Sequence, residues 1–300
     1  MIRAGLTVGT FAFLFVLACQ KKDTASSEAL SMSSLNHIEL TNELTYSDSI
    51  FYPSGIGTGK IISPISKPVD SGYFAASLPG LELDSATGRI NTSRSESGLR
   101  YMVYYLSMKN EPIDSTPVTI SGIDYTDHVY DFSQDTSAEQ LAIPVYNMNP
   151  DLPLPCNNGG NGQGCKFDET DLNYDGLEDI PGANRNKLFV DVTNGTIDLK
   201  KSLNAGVFGL NPFNGKRKDV MIYYRLNDGS GRVLNKITVR LVYFRSRAMI
   251  PESMLLEINS RNTRYQQNGI TSDVTSSLSY YTTTTTKPKR PPLIVIVSGQ

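Results

Sequence analysis

The chain has 300 residues and a formal net charge of −2, so it lacks the basic surplus that is typical of nucleic-acid-binding proteins. It contains 16 Tyr but no Trp, and Tyr, Val, Ile and Thr recur in short blocks separated by Gly and Pro. This composition favours β-strands joined by turns, and no amphipathic helix stands out. After the amino-terminal region, no apolar segment is long enough to span a bilayer. We therefore expect an all-β protein with no nucleic-acid partner.

The amino-terminal residues have the pattern of an export signal. Arg3 precedes a mostly apolar run, residues 4–16, that is too short for a comfortable bilayer span. The small residue before Cys19 completes a pattern that resembles the lipobox of bacterial lipoproteins, although Leu17 stands where that family usually has Ala, Ser or Thr. The resemblance implies a signal peptide at residues 1–18 and lipidation of Cys19. The alternative is an ordinary signal peptide, or a start anchor, with an incidental Cys.

Residues 20–28 are polar and low in complexity, which suits a flexible tether, and the tether is predicted at residues 19–45. Gln20 follows the acylated position. By resemblance to Gram-negative lipoproteins, a residue other than Asp at this position does not signal retention at the inner membrane. The resemblance therefore implies an outer-membrane lipoprotein that is held to the membrane by its lipid and is either periplasmic or surface-exposed.

Two stretches of the chain share one pattern. Gly88 and Gly195 lie 107 residues apart, and each is followed two positions later by Ile, namely Ile90 and Ile197. An apolar, Tyr-containing block follows each of them. Gly at this position predicts a tight turn with positive φ, and the Ile starts the next strand. The spacing is near the size of one immunoglobulin-like sandwich.

The segment Leu78–Ile90 resembles the signature of Ig-like, cadherin-like repeats of bacterial surface proteins, Leu-Pro-x-Gly-Leu followed by Asp-x-x-Thr-Gly-x-Ile, with one residue missing before Gly80. The resemblance implies two tandem Ig-like β-sandwich domains after the lipidated tether. The alternative is that both stretches are only hairpin turns, in which case an all-β fold remains. The predicted order is a first domain at 46–147, a Cys- and Asp-rich insert at 148–184, and a second domain at 185–300 that includes a carboxy-terminal strand.

The insert contains Cys156 and Cys165, which flank a polar, Gly-rich stretch that cannot form a core of its own. With Cys19 lipidated, they are an even pair in an exported chain, which predicts a disulfide. The alternative is two free thiols. The chain has only two His residues, and neither has the spacing of zinc ligands.

An acidic loop follows the second Cys. Asp171, Asn173 and Asp175 occupy alternate positions ahead of a Gly, and this pattern resembles the start of the calcium loops of EF-hands and dockerins. Such spacing lets alternate side chains converge on one cation. Leu177 would add its backbone carbonyl, and Asp179 would bind directly or through water. The twelfth position is Gly, not Glu, so the loop is not an EF-hand. We expect a structural Ca²⁺ site, and the alternative is a solvated loop without an ion.

Two later segments have clear strand character. Residues 236–244 have strand character, and their first six residues alternate polar and apolar side chains, which predicts a strand with one core face and one wet face. Residues 259–287 are polar and are interpreted as a linker or an exposed strand. Residues 293–297 are five consecutive apolar positions, and we expect this strand to complete a sheet of the second domain. The alternative is a docking strand that adds to the edge of a partner's sheet.

Enzyme motifs are missing. The sequence has no Gly-x-Ser-x-Gly elbow, no His-Glu-x-x-His helix and no phosphate-binding Gly loop. The plausible catalytic imidazole is His128, and a lone His on a Tyr-rich strand is more often structural or simply exposed. We therefore expect no enzymatic activity. The sequence favours a non-catalytic adhesion, scaffold or assembly module of the cell envelope, with protein or glycan partners at the cell surface.

The alternative function is calcium-dependent carbohydrate binding by a surface lipoprotein. Without Trp, a sugar platform would depend on Tyr, and the candidates are Tyr104, Tyr105, Tyr223 and Tyr224. Adjacent residues of a strand face opposite sides, so at least one Tyr of each pair is expected in the core. Exposed Tyr clustered on one face would favour sugar binding, whereas buried or scattered Tyr would favour a spacer or adhesion module.

Overall fold

The structure is a computed structural model that describes residues 43–55, 59–134, 140–156, 164–266 and 291–299, without the side chains of 134 and 263–266. These residues all belong to one compact unit. The signal peptide, Cys19 and nearly all of the tether lie outside them. None of the helices in the described ranges is long and apolar enough to cross a membrane.

The first module, residues 43–122, consists of six strands: β1 Ile50–Phe51, β2 Ile61–Ile62, β3 Gly72–Ala76, β4 Ile90–Asn91, β5 Leu99–Ser107 and β6 Pro112–Ile120. The main sheet has the order β1-β6-β5-β3, in which β1 and β6 are parallel and the other pairs are antiparallel. The antiparallel pair β2-β4 packs over this sheet. The core between them contains Phe74, Ile90, Tyr105 and Ile120.

The second module, residues 123–299, follows the same plan with more elements. Its strands and helices are β7 Ile123–Tyr125, β8 His128–Asp131, β9 Leu141–Ala142, β10 Pro144–Tyr146, β11 Lys166–Phe167, β12 Phe189–Val190, β13 Ile197–Asp198, α1 Leu199–Asn204, β14 Lys216–Arg225, β15 Asn235–Phe244, α2 Glu252–Gln266 and β16 Leu293–Val297. The main sheet has the order β11-β14-β15-β16-β8, and the smaller sheets are β12-β13-β9 and β10-β7. The prediction of an all-β fold is confirmed.

The repeated turn is present in both modules. Gly88 has a φ of 71° and Gly195 a φ of 75°, in the left-handed region that favours Gly. A Cβ atom would lie 2.6 Å from the ring of Phe74 at the first position and 2.5 Å from the ring of Phe167 at the second. Gly is therefore required at both positions for its backbone conformation and for space.

The same hydrogen bond holds each turn to the strand region that begins its module. The hydroxyl of Tyr46 donates to the carbonyl of Gly88 at 2.6 Å, and the hydroxyl of Tyr125 donates to the carbonyl of Gly195 at 2.6 Å. All four residues occupy matching places in their modules. The two turns are therefore built and held in the same way, and the turns predicted at the two Gly positions are confirmed. That they belong to tandem Ig-like repeats stays a prediction.

After Gly122 the strands pack in the second core, although the predicted first domain extends to residue 147, and Met148 returns to the first core. Residues 123–146 provide β7 to β10, and their side chains Ile123, Tyr125 and Ala142 are buried in the second core. From the predicted insert, β11 pairs with β14. Alternation of apolar residues identifies a strand but not the sheet that receives it. The division into two separate domains stays a prediction.

Helix α2 corrects the interpretation of the polar segment. Residues 259–266, interpreted as a linker or an exposed strand, form the second half of this helix. Met254 and Ile258, four residues apart, are buried against the outer face of the main sheet. Only a narrow stripe of apolar residues on α2 faces the sheet, and the rest of the described helix surface is polar or exposed. The periodic apolar pattern of a helix was therefore too weak to recognise in the sequence.

Candidate functional site

The insert between β10 and β12 contains both features that the sequence singled out. Cys156 and Cys165 form a disulfide with a Cα–Cα distance of 4.7 Å, as predicted. The acidic loop follows β11 and is exposed for much of its length. Along the chain, the disulfide precedes β11, the edge strand of the five-stranded sheet, and the acidic loop follows β11.

The oxygen atoms of the acidic loop accept hydrogen bonds from the loop's own backbone. Asp171, Asn173 and Asp175 each accept one from a backbone N–H two to five residues ahead, at 2.8–3.0 Å. The carboxylate of Asp179 accepts one from the backbone of Leu172 at 2.7 Å. Short polar side chains commonly stabilise tight turns in this way. The alternating pattern thus shapes a loop even without an ion.

The fit of this loop to calcium is incomplete. The side-chain amide of Asn173 donates to Asp175 at 3.2 Å and to Asp179 at 3.4 Å, so the amide bridges the two carboxylates. One oxygen, Oδ1 of Asp171, is buried and has no hydrogen-bond partner, which is also expected of a cation ligand when no cation is bound. Within the part of the chain that the structure describes, no three His, Cys, Asp or Glu side chains are grouped to hold a metal. Calcium binding, with Leu177 as a backbone ligand, stays a prediction.

A buried ion pair, which the sequence analysis missed, fixes the acidic loop to the sheet. The side chains of Glu169 and Arg225 are 0% and 4% exposed, and their Oε2 and Nε atoms are 3.2 Å apart. The Arg225 guanidinium also donates to the backbone carbonyl of Leu172 and lies 3.8 Å from the ring centre of Tyr174. The guanidinium is thus shared between a carboxylate, a carbonyl and an aromatic face. The available signal was the position of Arg225, which directly follows the apolar run at residues 220–224 of β14.

Electrostatics keep Glu169 charged despite its burial. Burial alone would raise the pKa of this carboxyl group. The Lys166 ammonium at 2.8 Å, the backbone N–H of Asp171 and the Arg225 guanidinium together outweigh burial and hold its pKa below the ordinary value. The carboxylate form therefore contributes stability to the folded state at neutral pH.

His128 lies at the start of β8 and is exposed. Its ring contacts the ring of Tyr130 edge-on, with 4.8 Å between centroids. It lines an open groove of about 430 Å³ whose other walls are Thr126, Tyr130, Leu141, Ile143, Pro144, Val145, Pro150 and Leu152. Among the described residues, neither a Ser nor a carboxylate lines this groove, so the described part of the chain does not bring a Ser-His-Asp arrangement together there. The absence of catalysis stays a prediction.

The two Tyr pairs point largely inward. Tyr105 and Tyr224 are buried in the two cores, Tyr104 is buried on the outer face of the first sheet, and Tyr223 is half-buried. The prediction that one Tyr of each pair lies in the core is confirmed. The hydroxyl of Tyr224 accepts a hydrogen bond from the backbone N–H of Ile123 at 3.3 Å, where the two modules meet. These Tyr residues therefore support packing and do not form an exposed platform.

The apolar segment at residues 293–297 forms β16 and lies inside the main sheet of the second module. It is parallel to β15 on one side and to β8 on the other. The expectation that this strand completes a sheet of the second module is confirmed.

No protein-family model matches the chain, and no curated protein matches it. Among solved structures, the chain is similar to a SusE-like, surface-located polysaccharide-binding protein from the heparin utilisation locus of Bacteroides thetaiotaomicron. The identity is 11%, the match covers 66% of this chain and 33% of that chain, and the TM-score is 0.21. The match spans about a third of that protein, and its TM-score is too low to support an argument on fold or function.

Proposed function

We propose that this protein is a non-catalytic, lipid-anchored protein of the cell envelope that acts as an adhesion, scaffold or assembly module. It is an outer-membrane lipoprotein in this proposal, and its two modules are tandem Ig-like sandwiches. The observation that carries the proposal is the burial of Tyr104, Tyr105 and Tyr224. Aromatic side chains in the core make a module stable and well defined, whereas a sugar platform needs them exposed.

The anchor is tested by the change Cys19→Ser in the full chain. Loss of the thiol removes the site of acylation, so we expect the protein to move from the membrane fraction to the soluble envelope fraction. Ser26→Ala, in the same tether, is the matched control and should stay in the membrane fraction. Unchanged membrane retention of the Cys19→Ser variant would refute the lipoprotein assignment.

The role as a module is tested by cross-linking intact cells and separating the envelope proteins under denaturing conditions. The chain has a mass of 33.0 kDa, and we expect a large share of it in cross-linked species well above that mass. Purified protein should hydrolyse no envelope polysaccharide or peptide. A chain that stays monomeric after cross-linking, or a purified protein that turns over such a polymer, would contradict the proposal.

Calcium-dependent carbohydrate binding is the second candidate function. Two observations favour it: the unpartnered Oδ1 atom of Asp171 and the exposed ring of Tyr174, which is stacked on Arg225. A glycan array with the lipid-free mature protein, in calcium and in chelator, tests it. Calcium-dependent binding that is lost in Tyr174→Ala would support this function, and Tyr223→Ala is the matched control. Equal signals in calcium and in chelator would exclude it.

A further inference from the structure

The repeat shows which strands of the two modules correspond. Tyr46 and Tyr125 make the same hydrogen bond to their turns. Five residues later in each module come Phe51, in β1, and Tyr130, in β8. Strand β1 of the first module is therefore the counterpart of β8 in the second. The strands β3, β5 and β6 correspond in the same way to β11, β14 and β15, because each set follows the same order in its sheet.

Strand β16 of the second module has no counterpart in the main sheet of the first module, as far as the described residues show. In the first module β1 pairs directly with β6, and Phe51 is the partner of Ile120. In the second module β16 lies between the two corresponding strands, where Ile296 is the partner of Tyr243 on one side and of Tyr130 on the other. The module plan is thus complete without this strand. Strand β16 lies between β8 and β15, and the space between these two strands is called the slot.

The slot accepts an apolar strand on both of its faces. All five residues of β16 are buried, with exposed fractions of 0–4%. Ile294 and Ile296 pack into the core of the second module. Leu293, Val295 and Val297 pack on the opposite face under helix α2. A short, β-branched, uncharged segment satisfies these contacts, and the backbone groups on both edges pair within the sheet.

A polar latch holds the beginning of β16. The carboxylate of Asp127, just before β8, accepts a hydrogen bond from the backbone N–H of Leu293 and pairs with Nε of Arg261 at 2.8 Å. The same Arg261 side chain, on α2, donates to the carbonyl of Pro291 at 2.7 Å. The latch acts at the strand's first residues, where a strand that leaves the slot would begin to separate.

We infer that the slot between β8 and β15 is a strand-acceptor site and that residues 291–297 of a second copy of this chain occupy it. This inference deepens, and rests on, the proposed function as a lipid-anchored assembly module. Residues 267–290 connect α2 to β16, and at about 3.3–3.6 Å per residue 24 residues can span up to ~80 Å. The contacts of β16 are the same whichever copy supplies the strand, which makes exchange between copies a low-cost route to assembly.

Lipid anchors strengthen this exchange because they confine copies to one surface and raise their effective concentration. Reciprocal exchange between two copies gives a closed dimer, whereas one-way exchange gives an open chain of copies. The partner is thus a second copy of this chain, recognised through five apolar side chains and parallel backbone pairing.

The test uses cysteine pairs in full chains that are expressed in the envelope. Val242 and Val295 are partners across β15 and β16, and neighbouring strands are about 4.8 Å apart, within the range of a disulfide. One copy, with one epitope tag, contains Val242→Cys, and the other, with a second tag, contains Val295→Cys. We expect a disulfide-linked species that contains both tags. Val220→Cys on β14, which does not adjoin β16, is the matched control and should give none.

A chain with both Val242→Cys and Val295→Cys reports the pairing within one copy. If this double variant cross-links within a chain while the co-expressed single variants give no species with both tags, strand exchange is refuted. If neither arrangement cross-links, the pairing of β15 with β16 is itself wrong and the inference fails with it.

Two further arms separate the possible causes of failure. Asp127→Asn weakens the latch equally in both arrangements, so it should speed the appearance of the species linked between copies several-fold, whereas Asp219→Asn, which breaks an exposed ion pair of β14 with β15, should not. Equal rates of linkage in both variants would contradict the role of the latch. Membrane fractionation of the same cells tests the proposed function: an anchored protein without exchange refutes only this inference, while an unanchored protein refutes the proposed function.

Discussion

The buried pair of Glu169 and Arg225 leads to a quantitative prediction for stability. Arg225→Met keeps much of the side-chain volume but leaves the Glu169 carboxylate buried without its closest buried partner. Breaking a buried ion pair from one side costs about 3–5 kcal/mol. The Nζ atom of Lys166 remains 2.8 Å from Oε1 of Glu169, but the Lys166 side chain is 49% exposed. It therefore offsets only a part of this loss of stability. We expect the free energy of unfolding to fall by about 3 kcal/mol.

A double-mutant cycle tests the reason for this loss. In Glu169→Met the carboxylate is absent, and in the double variant with Arg225→Met neither charge is left in the core. Replacing a whole buried pair by apolar groups is often nearly neutral, so the double variant should lose less stability than Arg225→Met alone. Urea unfolding with linear extrapolation measures all four proteins. A loss below about 1 kcal/mol for Arg225→Met, or a double variant equal to the sum of the single ones, would refute the reasoning.

An exposed pair of the same sheet provides the control. Arg240 and Asp219 lie 2.7 Å apart, and their side chains are 37% and 43% exposed. Exposed pairs contribute about 0–1 kcal/mol, so Arg240→Met should lower the free energy of unfolding by less than about 1 kcal/mol. The contrast between the two Arg variants isolates the effect of burial from the effect of losing an ion pair.

The pH dependence follows from the lowered pKa of Glu169. Because its folded-state pKa lies below the unfolded value of about 4.3, its contribution is present in full above that value and is lost as the pH falls through the folded-state pKa. The difference in unfolding free energy between the wild-type protein and Glu169→Gln should therefore narrow below about pH 4. If wild-type and Glu169→Gln differ in unfolding free energy by the same amount at pH 7 and pH 3, Glu169 does not stabilise the folded state as a carboxylate.

Three further predictions concern the turns, the disulfide and the loop. In urea unfolding, Gly195→Ala should destabilise the protein by about 1–3 kcal/mol more than Gly209→Ala. Both glycines have positive φ, but only at Gly195 would a Cβ atom meet the ring of Phe167. Equal losses of stability in the two variants would show that the ring moves aside. Reduction of the disulfide should lower the unfolding free energy by about 2–3 kcal/mol, from the entropy of a ten-residue loop, and no change in the midpoint of unfolding would contradict this. Calcium at millimolar concentration should raise the melting temperature relative to chelator, and the rise should vanish in the double variant Asp171→Asn and Asp175→Asn. A melting temperature of the wild-type protein that is the same in calcium and in chelator would contradict calcium binding by the loop.

Several features could be predicted because they depend on neighbours in the sequence. Gly88 and Gly195 indicated the turns because a left-handed backbone is a property of the residue itself. The inward Tyr of each pair followed from the alternation of side chains along a strand. The spacing and polarity of the segment between Cys156 and Cys165 predicted the disulfide, which is also a local feature.

Other features depend on which distant segments meet. The role of Arg225 was not visible because its partners, Glu169, Leu172 and Tyr174, are near one another in sequence but 50 or more residues from it. Helix α2 was missed because its narrow apolar stripe has meaning only above the sheet that it covers. The packing of residues 123–146 in the second core was not visible because a short apolar strand is compatible with either core until its pairing is known.

The sequence by itself determined an all-β chain with two copies of one turn, a disulfide-closed insert and an apolar final strand, because local backbone preference and side-chain alternation specify each of these. Only the tertiary structure decided that β16 enters between β8 and β15, that residues 123–146 belong to the second module, and that an ion pair anchors the acidic loop. Strand pairing and ion pairing join residues that are far apart in the chain, so they are decided by the packing of complementary surfaces and not by local sequence.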